Sequence, residues 1–158
     1  MTPKRQVAAL PLRRGKNGAF EILLVTSRDT GRWIIPKGWS SKRLRDDKAA
    51  AREARQEAGV KGRVAREAIG SYRYVKPELG DGFIDVTVFL LAVRKQRKRW
   101  PEKSERRRAW FGLWDAMEKI REPELSSLIG SLQVKAIAAT IETGKSRLVL
   151  PARAGMAT

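Results

Sequence analysis

Neither cysteine nor histidine occurs in the 158-residue chain. Without cysteine there are no disulfides and no thiolate metal sites, and a cytoplasmic location is the expectation. The missing histidine excludes more chemistry: serine–histidine triads, cysteine–histidine proteases and His-ligated zinc all lose their central residue. Any metal is then held by oxygen, which points to Mg²⁺ or Mn²⁺. A general base comes from Glu, Asp, Lys or Tyr. Acidic residues are scarce, 17 against 34 Lys and Arg, and the net charge of +17 draws polyanions. Nucleic acid, polyphosphate and highly phosphorylated small molecules all qualify. Long apolar runs are missing too. The longest, Val86 to Val93, is interrupted by Thr87 and falls far short of the ~18 residues of a membrane span. The N-terminus lacks the apolar core of a signal peptide. With 42% hydrophobic residues, residues 1–158 read as a single domain able to bury a core unaided.

Taken in order, Gln6 to Arg13 reads as a strand, Arg13 to Gly18 as a turn, and Phe20 to Ser27 as its hairpin partner. A polar loop, Arg28 to Arg32, leads into a short strand from Trp33 to Ile35 and a Pro36-Lys37-Gly38 turn. A basic loop and a helix follow, with Asp46 or Asp47 as the expected cap and Gly59 as the left-handed stop. Arg66 to Val75 carries a strand with Tyr72 and Tyr74 alternating. Phe83 to Val93 is the most apolar strand and is expected at the centre. A basic block runs from Arg94 to Arg99, and Arg107 to Phe111 makes a short strand. Helices are expected from Trp114 to Ile120 and from Glu124 to Glu142, and the tail from about residue 145 as frayed. Strands first, one helix between them and helices last indicate an α/β sandwich on a mixed sheet.

The stretch from Trp33 to Val60 organises the rest. Helical spacing puts Glu53 and Glu57 on one face, with Gln56 three residues from Glu53. Ala50, Ala54 and Ala58 form a small-residue stripe suited to close packing on a sheet. Two carboxylates and an amide oxygen beside a Gly-Lys loop suit a hard cation that handles phosphate; the alternative is an ordinary solvated helix face.

Its spacing resembles the Nudix hydrolase signature: Gly, five residues, Glu, seven residues, then Arg-Glu-hydrophobic-x-Glu-Glu-x-Gly-hydrophobic. Gly38, Arg52, Glu53, Ala54, Glu57, Gly59 and Val60 stand at the required positions. Two positions depart, Leu44 for the first Glu and Gln56 for the first of the Glu-Glu pair. The resemblance implies a Nudix-type α/β/α sandwich with a mixed β-sheet. It implies catalytic Glu53, Glu57 and Arg52, and a metal site at Glu53, Glu57, Gln56 and Gly38. Arg52 pairs in the family with the first Glu, and Asp46 or Asp47 is the expected stand-in for that partner. An extra acid outside the signature is expected at Glu102 or Glu105. Lys37, Arg28, Arg32 and Arg73 are the expected phosphate grip, and Trp39 is free to stack on a base or line the pocket mouth.

The pieces Gln6-Val7-Ala8-Ala9, Thr26-Ser27-Arg28, Trp33 to Trp39, Gly70 to Tyr74 and Arg106 to Phe111 resemble the diphosphoinositol polyphosphate phosphohydrolase branch. That resemblance implies Mg²⁺-dependent cleavage of a phosphoanhydride in an inositol pyrophosphate or dinucleoside polyphosphate. The rival expectations are removal of pyrophosphate from RNA 5′ ends and a catalytically weakened module that binds polyphosphate or RNA. A monomer is expected, with no membrane partner.

Overall fold

The computed structural model describes residues 4–76, 78 and 82–132. Its eight strands are β1 (Lys4–Arg14), β2 (Phe20–Thr26), β3 (Trp33–Ile34), β4 (Lys37–Trp39), β5 (Val60–Val64), β6 (Gly70–Val75), β7 (Phe83–Gln96) and β8 (Arg108–Gly112). Helix α1 (Asp46–Glu53) runs on into a π-helical turn (Ala54–Ala58), and α2 (Leu113–Lys119) and α3 (Pro123–Gly130) follow β8.

All eight strands join one mixed sheet, ordered β3-β2-β1-β7-β5, with β4 on β1, β6 on β7 and β8 on β2. The β1–β7 pair is parallel, from Lys4 opposite Ile84 to Leu12 opposite Ala92. The other pairs are antiparallel. β1 reads as a nearly unbroken apolar run because both its faces are covered. Val7 and Ala9 meet the alanine stripe of α1 and the π turn, where Ala49, Ala50, Ala54 and Ala58 are fully buried. Ala8, Leu10 and Leu12 face α2 and α3, packing with Ala116, Ile120, Leu125 and Ile129. The architecture is therefore the expected α/β/α sandwich. Pro11, which has no amide to donate, falls between the stretches of β1 that pair with β4 and with β2.

Several local expectations need correction. Neither Asp46 nor Asp47 caps α1: Arg45 holds the cap position without a side-chain hydrogen bond, and both acids sit in the first turn. Their negative charge there still favours the helix dipole. The Pro36-Lys37-Gly38 turn instead yields a short strand, because Gln6, Val7 and Ala8 offer it an open edge of β1. The segment after Val60 contains a strand, β5, that alternation over so few residues does not announce, and β6 begins only at Gly70. Of the helix expected from Glu124 to Glu142, α3 covers the start and ends at Gly130, short of Ser131 and Leu132; residues 133–142 and the tail lie outside the described residues. No helix among the described residues is long and apolar enough to cross a membrane.

Candidate active site

β4 and the π turn build the site between them. α1 packs its alanines on β1, and β4 pairs with the same strand, so the carboxylates at the helix end come against the Lys37–Trp39 backbone. The Lys37 amide donates to Glu57 Oε1 at 3.2 Å. A Cβ at residue 38 would collide with the Glu53 carboxylate, so glycine is what lets this carboxylate approach β4. Glu53 ends the α-helical stretch and Glu57 lies in the π turn, which closes at Gly59 with φ 69°. Single π turns recur at functional sites.

A third acid arrives from the loop that follows β7. Glu102 is 8% exposed, and its amide donates to the Gln56 carbonyl at 3.2 Å. Gln56 Nε2 donates to Glu102 Oε2 at 3.0 Å, and Arg106 Nε donates to Glu102 Oε1 at 2.7 Å. Arg106, its side chain almost wholly enclosed, also lies 3.4 Å from Glu57 Oε2 and donates to the Thr26 carbonyl at 3.0 Å. Trp100 Nε1 donates to the Glu57 carbonyl at 3.1 Å and anchors the loop's start.

Charge is crowded here. Burial pushes the Glu57 carboxyl up to about 7, Glu53 and Glu102 push the same way, and Arg106 pulls against them. Burial also raises Glu53, with Arg52 opposing and Glu102 assisting. Burial pushes Glu102 up as well, but the hydrogen bonds from Gln56 and Arg106 outweigh it and hold this carboxyl below its usual range. Lys37 is lowered by burial, partly offset by the Glu57 charge. Its ammonium sits 4.8 Å over the Tyr74 ring and 3.4 Å from the Tyr74 hydroxyl, which donates to Gln6 Oε1 at 2.9 Å.

These groups line a cavity of about 330 Å³. Glu53, Gln56, Glu57 and Glu102 form one wall, Lys37, Gly38 and Trp39 another, and Arg28, Lys76 and Arg106 add positive charge. Trp39 is 48% exposed. Crowded all-oxygen donors with one guanidinium among them suit a hard divalent cation. Among the described residues no cluster of three or more acidic side chains is tight enough to hold a metal alone.

The expected residues divide clearly. Glu53, Gln56, Glu57, Gly38, Lys37, Arg28 and Glu102 meet at the cavity. Glu105 stays at its rim, 3.0 Å from Arg28 Nη1. Arg32 does not reach the cavity, because Glu122 captures it at 2.7 Å. Arg73 is likewise paired with Asp85 at 2.7 Å. Arg52 is exposed and pairs with neither expected acid, since Asp46 binds Arg5 at 2.7 Å and Asp47 binds Arg45 at 2.6 Å. Leu44, where the signature has Glu, packs against the α1-side core. Arg106 and Lys76 escaped sequence reasoning; nothing local marks one arginine among so many.

Comparison with known proteins bears on this arrangement. The family model described as "NUDIX domain" matches residues 2–129. Mouse diphosphoinositol polyphosphate phosphohydrolase 3-alpha is 32% identical over 121 residues, 75% of this chain and 70% of that protein. Arabidopsis thaliana Nudix hydrolase 21, chloroplastic, is 33% identical over 118 residues, 73% of this chain and 59% of that protein. The chain spans about three fifths of the length of such plant relatives. Among solved structures, a binary complex of the C. elegans Ap4A hydrolase superposes with a TM-score of 0.62 at 20% identity, covering 80% of this chain and 93% of that one. The NUDIX domain of Shewanella oneidensis NrtR, complexed with ADP ribose, gives 0.61 at 14% identity, with 81% and 86% covered. These likenesses establish the fold.

Proposed function

The chain belongs to the Nudix family, and from that premise we propose that it is a pyrophosphohydrolase cleaving a phosphoanhydride in a small polyphosphate of the inositol pyrophosphate or dinucleoside polyphosphate type. The observation that carries this reading is the pair of buried Glu57 and half-buried Glu53 facing the Lys37–Trp39 strand in a cavity with cationic walls. Nudix hydrolases use divalent metal, and Glu53 and Glu57 would hold it here, with Mg²⁺ or Mn²⁺ matched to oxygen donors. Bound there, the metal supplies charge neutralisation and lowers the pKa of attacking water.

The remaining work belongs to the chain's own groups. Lys37, Arg28 and Lys76 offer positive charge to phosphate oxygens, and Arg28 presents a fork suited to two of them. Glu102 supplies the carboxylate that Gln56 lacks, and Gln56 and Arg106 hold it in place. With no metal bound, burial raises Glu57 to about 7, so a proton on this carboxyl near neutral pH competes with the cation it would hold. Trp39 offers an exposed aromatic face at the mouth.

A second reading has one observation in its favour. Leu44 and Gln56 remove two carboxylates of the family pattern, and the Arg106 charge offsets part of what remains. That describes a module which grips polyphosphate without cleaving it. The charge also keeps RNA 5′ ends among the candidate substrates. The deciding experiment presents diadenosine polyphosphates, an inositol pyrophosphate, nucleoside triphosphates and triphosphorylated RNA with Mg²⁺ or Mn²⁺, and measures product release. Cleavage of a small polyphosphate, lost by at least a hundredfold in a folded Glu57→Gln variant, is the expected outcome. Binding without cleavage across the panel gives the module reading; cleavage confined to RNA gives the other.

A further inference from the structure

Among the described residues four cations line the candidate active-site cavity, and two of them already face acids. Arg28 lies 3.0 Å from Glu105, and Arg106 lies 2.7 Å from Glu102. Lys37 and Lys76 form no ion pair among the described residues. Lys37 gives its backbone amide to Glu57, but its ammonium meets neutral groups, the ring and hydroxyl of Tyr74.

Tyr74 does not itself line the cavity, and it comes from a distant strand. β6 pairs with β7, β7 with β1 and β1 with β4, so two strands separate Tyr74 from Lys37. Its side chain packs on the face that carries Ala8, Tyr72 and Val86. Gln6 stands opposite Trp39 and Ala8 opposite Lys37, so the Tyr74 hydroxyl arrives where β1 meets β4. There it donates to Gln6 Oε1 at 2.9 Å and lies 3.4 Å from Lys37 Nζ. Tyr72, 3% exposed, lies beside it with ring centroids 6.4 Å apart. The Arg73 amide donates to Glu124 Oε1 at 2.6 Å and the Arg73 side chain pairs with Asp85, so β6 is tied down on both sides. Burial first, then Glu122, push Tyr74 up to about 12, so its hydroxyl stays neutral. A phenylalanine would fill the same space. The hydroxyl is what packing leaves unexplained, and both of its contacts are cavity residues.

We propose that Tyr74 is a positioning residue for substrate phosphate: reaching across β7, it holds the Lys37 ammonium at the cavity without cancelling its charge. This rests on the reading of the cavity as a phosphate site. A carboxylate in that place would neutralise the lysine, whereas an aromatic face and a hydroxyl leave its charge, and N–H donors, for the ligand. Ordering the flexible lysine stem beforehand also removes part of the entropy lost on binding.

The test is a double-mutant cycle of Tyr74→Phe and Lys37→Met, read by binding of methylenediphosphonate at one fixed Mg²⁺ concentration. This probe has no anhydride, so it reports grip whether or not the protein hydrolyses anything. Tyr74→Phe should weaken binding about fivefold, the effect of one hydrogen bond. Lys37→Met should weaken it by more than about tenfold. In the Lys37→Met background, Tyr74→Phe should change binding by less than about twofold. Multiplying losses mean that Tyr74 acts without Lys37, and overturn the proposal. So does unchanged binding in Tyr74→Phe, whose ring keeps the core filled and whose melting temperature checks the fold. Where a small polyphosphate is turned over, Tyr74→Phe should raise KM by the same factor with kcat within about twofold. A fall in kcat at unchanged KM overturns the positioning role. Coupling in the cycle without turnover of any substrate upholds the proposal and counts against hydrolysis alone. No probe binding by the wild type overturns the proposal.

Discussion

At the scale of single residues, Gln56 decides how the site is charged. Its amide donates to Glu102 at 3.0 Å, so Gln56→Glu would set two carboxylates against each other. The metal-free variant should melt lower than the wild type and need less Mg²⁺ for half-maximal activity, because repulsion is relieved when a cation enters. Melting curves with and without Mg²⁺, plus a Mg²⁺ titration of turnover, check both; no change in either removes Gln56 from the metal's surroundings. Glu57 carries a pH prediction. Its carboxyl sits at about 7 folded, above the ordinary 4.5, so the folded state binds the proton more tightly. Stability of the metal-free protein therefore falls as pH rises from about 4.5 to 7 and levels off above. The loss from this group is on the order of 3 kcal/mol at most. Glu102, held low, has the opposite sign and costs stability on acidification. Urea midpoints at pH 5 and 8 should separate in the wild type and converge in Glu57→Gln.

At the scale of elements, the π turn and the loop from Trp100 to Glu105 act together. Gly59 ends the turn in the left-handed region, and a Cβ there would come within 2.7 Å of the Trp100 ring and of Arg108. Arg108 stacks 3.8 Å from that ring and donates to the Ala58 and Arg97 carbonyls, so neither neighbour yields freely. Gly59→Ala is expected to cost roughly 1–2 kcal/mol from backbone strain alone, and more from the collision. It should also lower kcat, because the displaced loop carries Glu102. Denaturant unfolding and steady-state kinetics on one preparation test this. Lost stability with unchanged kcat would detach the loop from catalysis.

At the scale of the whole molecule, the charge of +17 is a long-range property. Positive groups line the cavity at Arg28, Lys37, Lys76 and Arg106, and the general field steers polyanions toward it. Raising ionic strength severalfold at fixed Mg²⁺ should raise KM more than it lowers kcat, since exposed charges are screened beyond about 10 Å at 0.1 M salt. A KM flat over that range would separate the field from substrate capture.

Much of the site follows from spacing along the chain. Glu53 and Glu57 share a face because a helical turn brings residues four apart together, and Gly59 stops the turn because only glycine enters that conformation cheaply. The nearly unbroken apolar run of β1 and the alanine stripe of α1 likewise foretell two covered sheet faces. Tertiary structure settles which charged side chains reach the cavity. Arg28 and Lys37 line it, while Glu122 and Asp85 divert Arg32 and Arg73. The third carboxylate comes from 46 residues beyond Gln56, delivered when β8 pairs with β2 and the Arg107 amide meets Thr26. Local periodicity is written in the chain because neighbours on a helix or strand are fixed by geometry. The partner that captures a long cationic side chain is set by strand order and register, which emerge only when the whole sheet assembles.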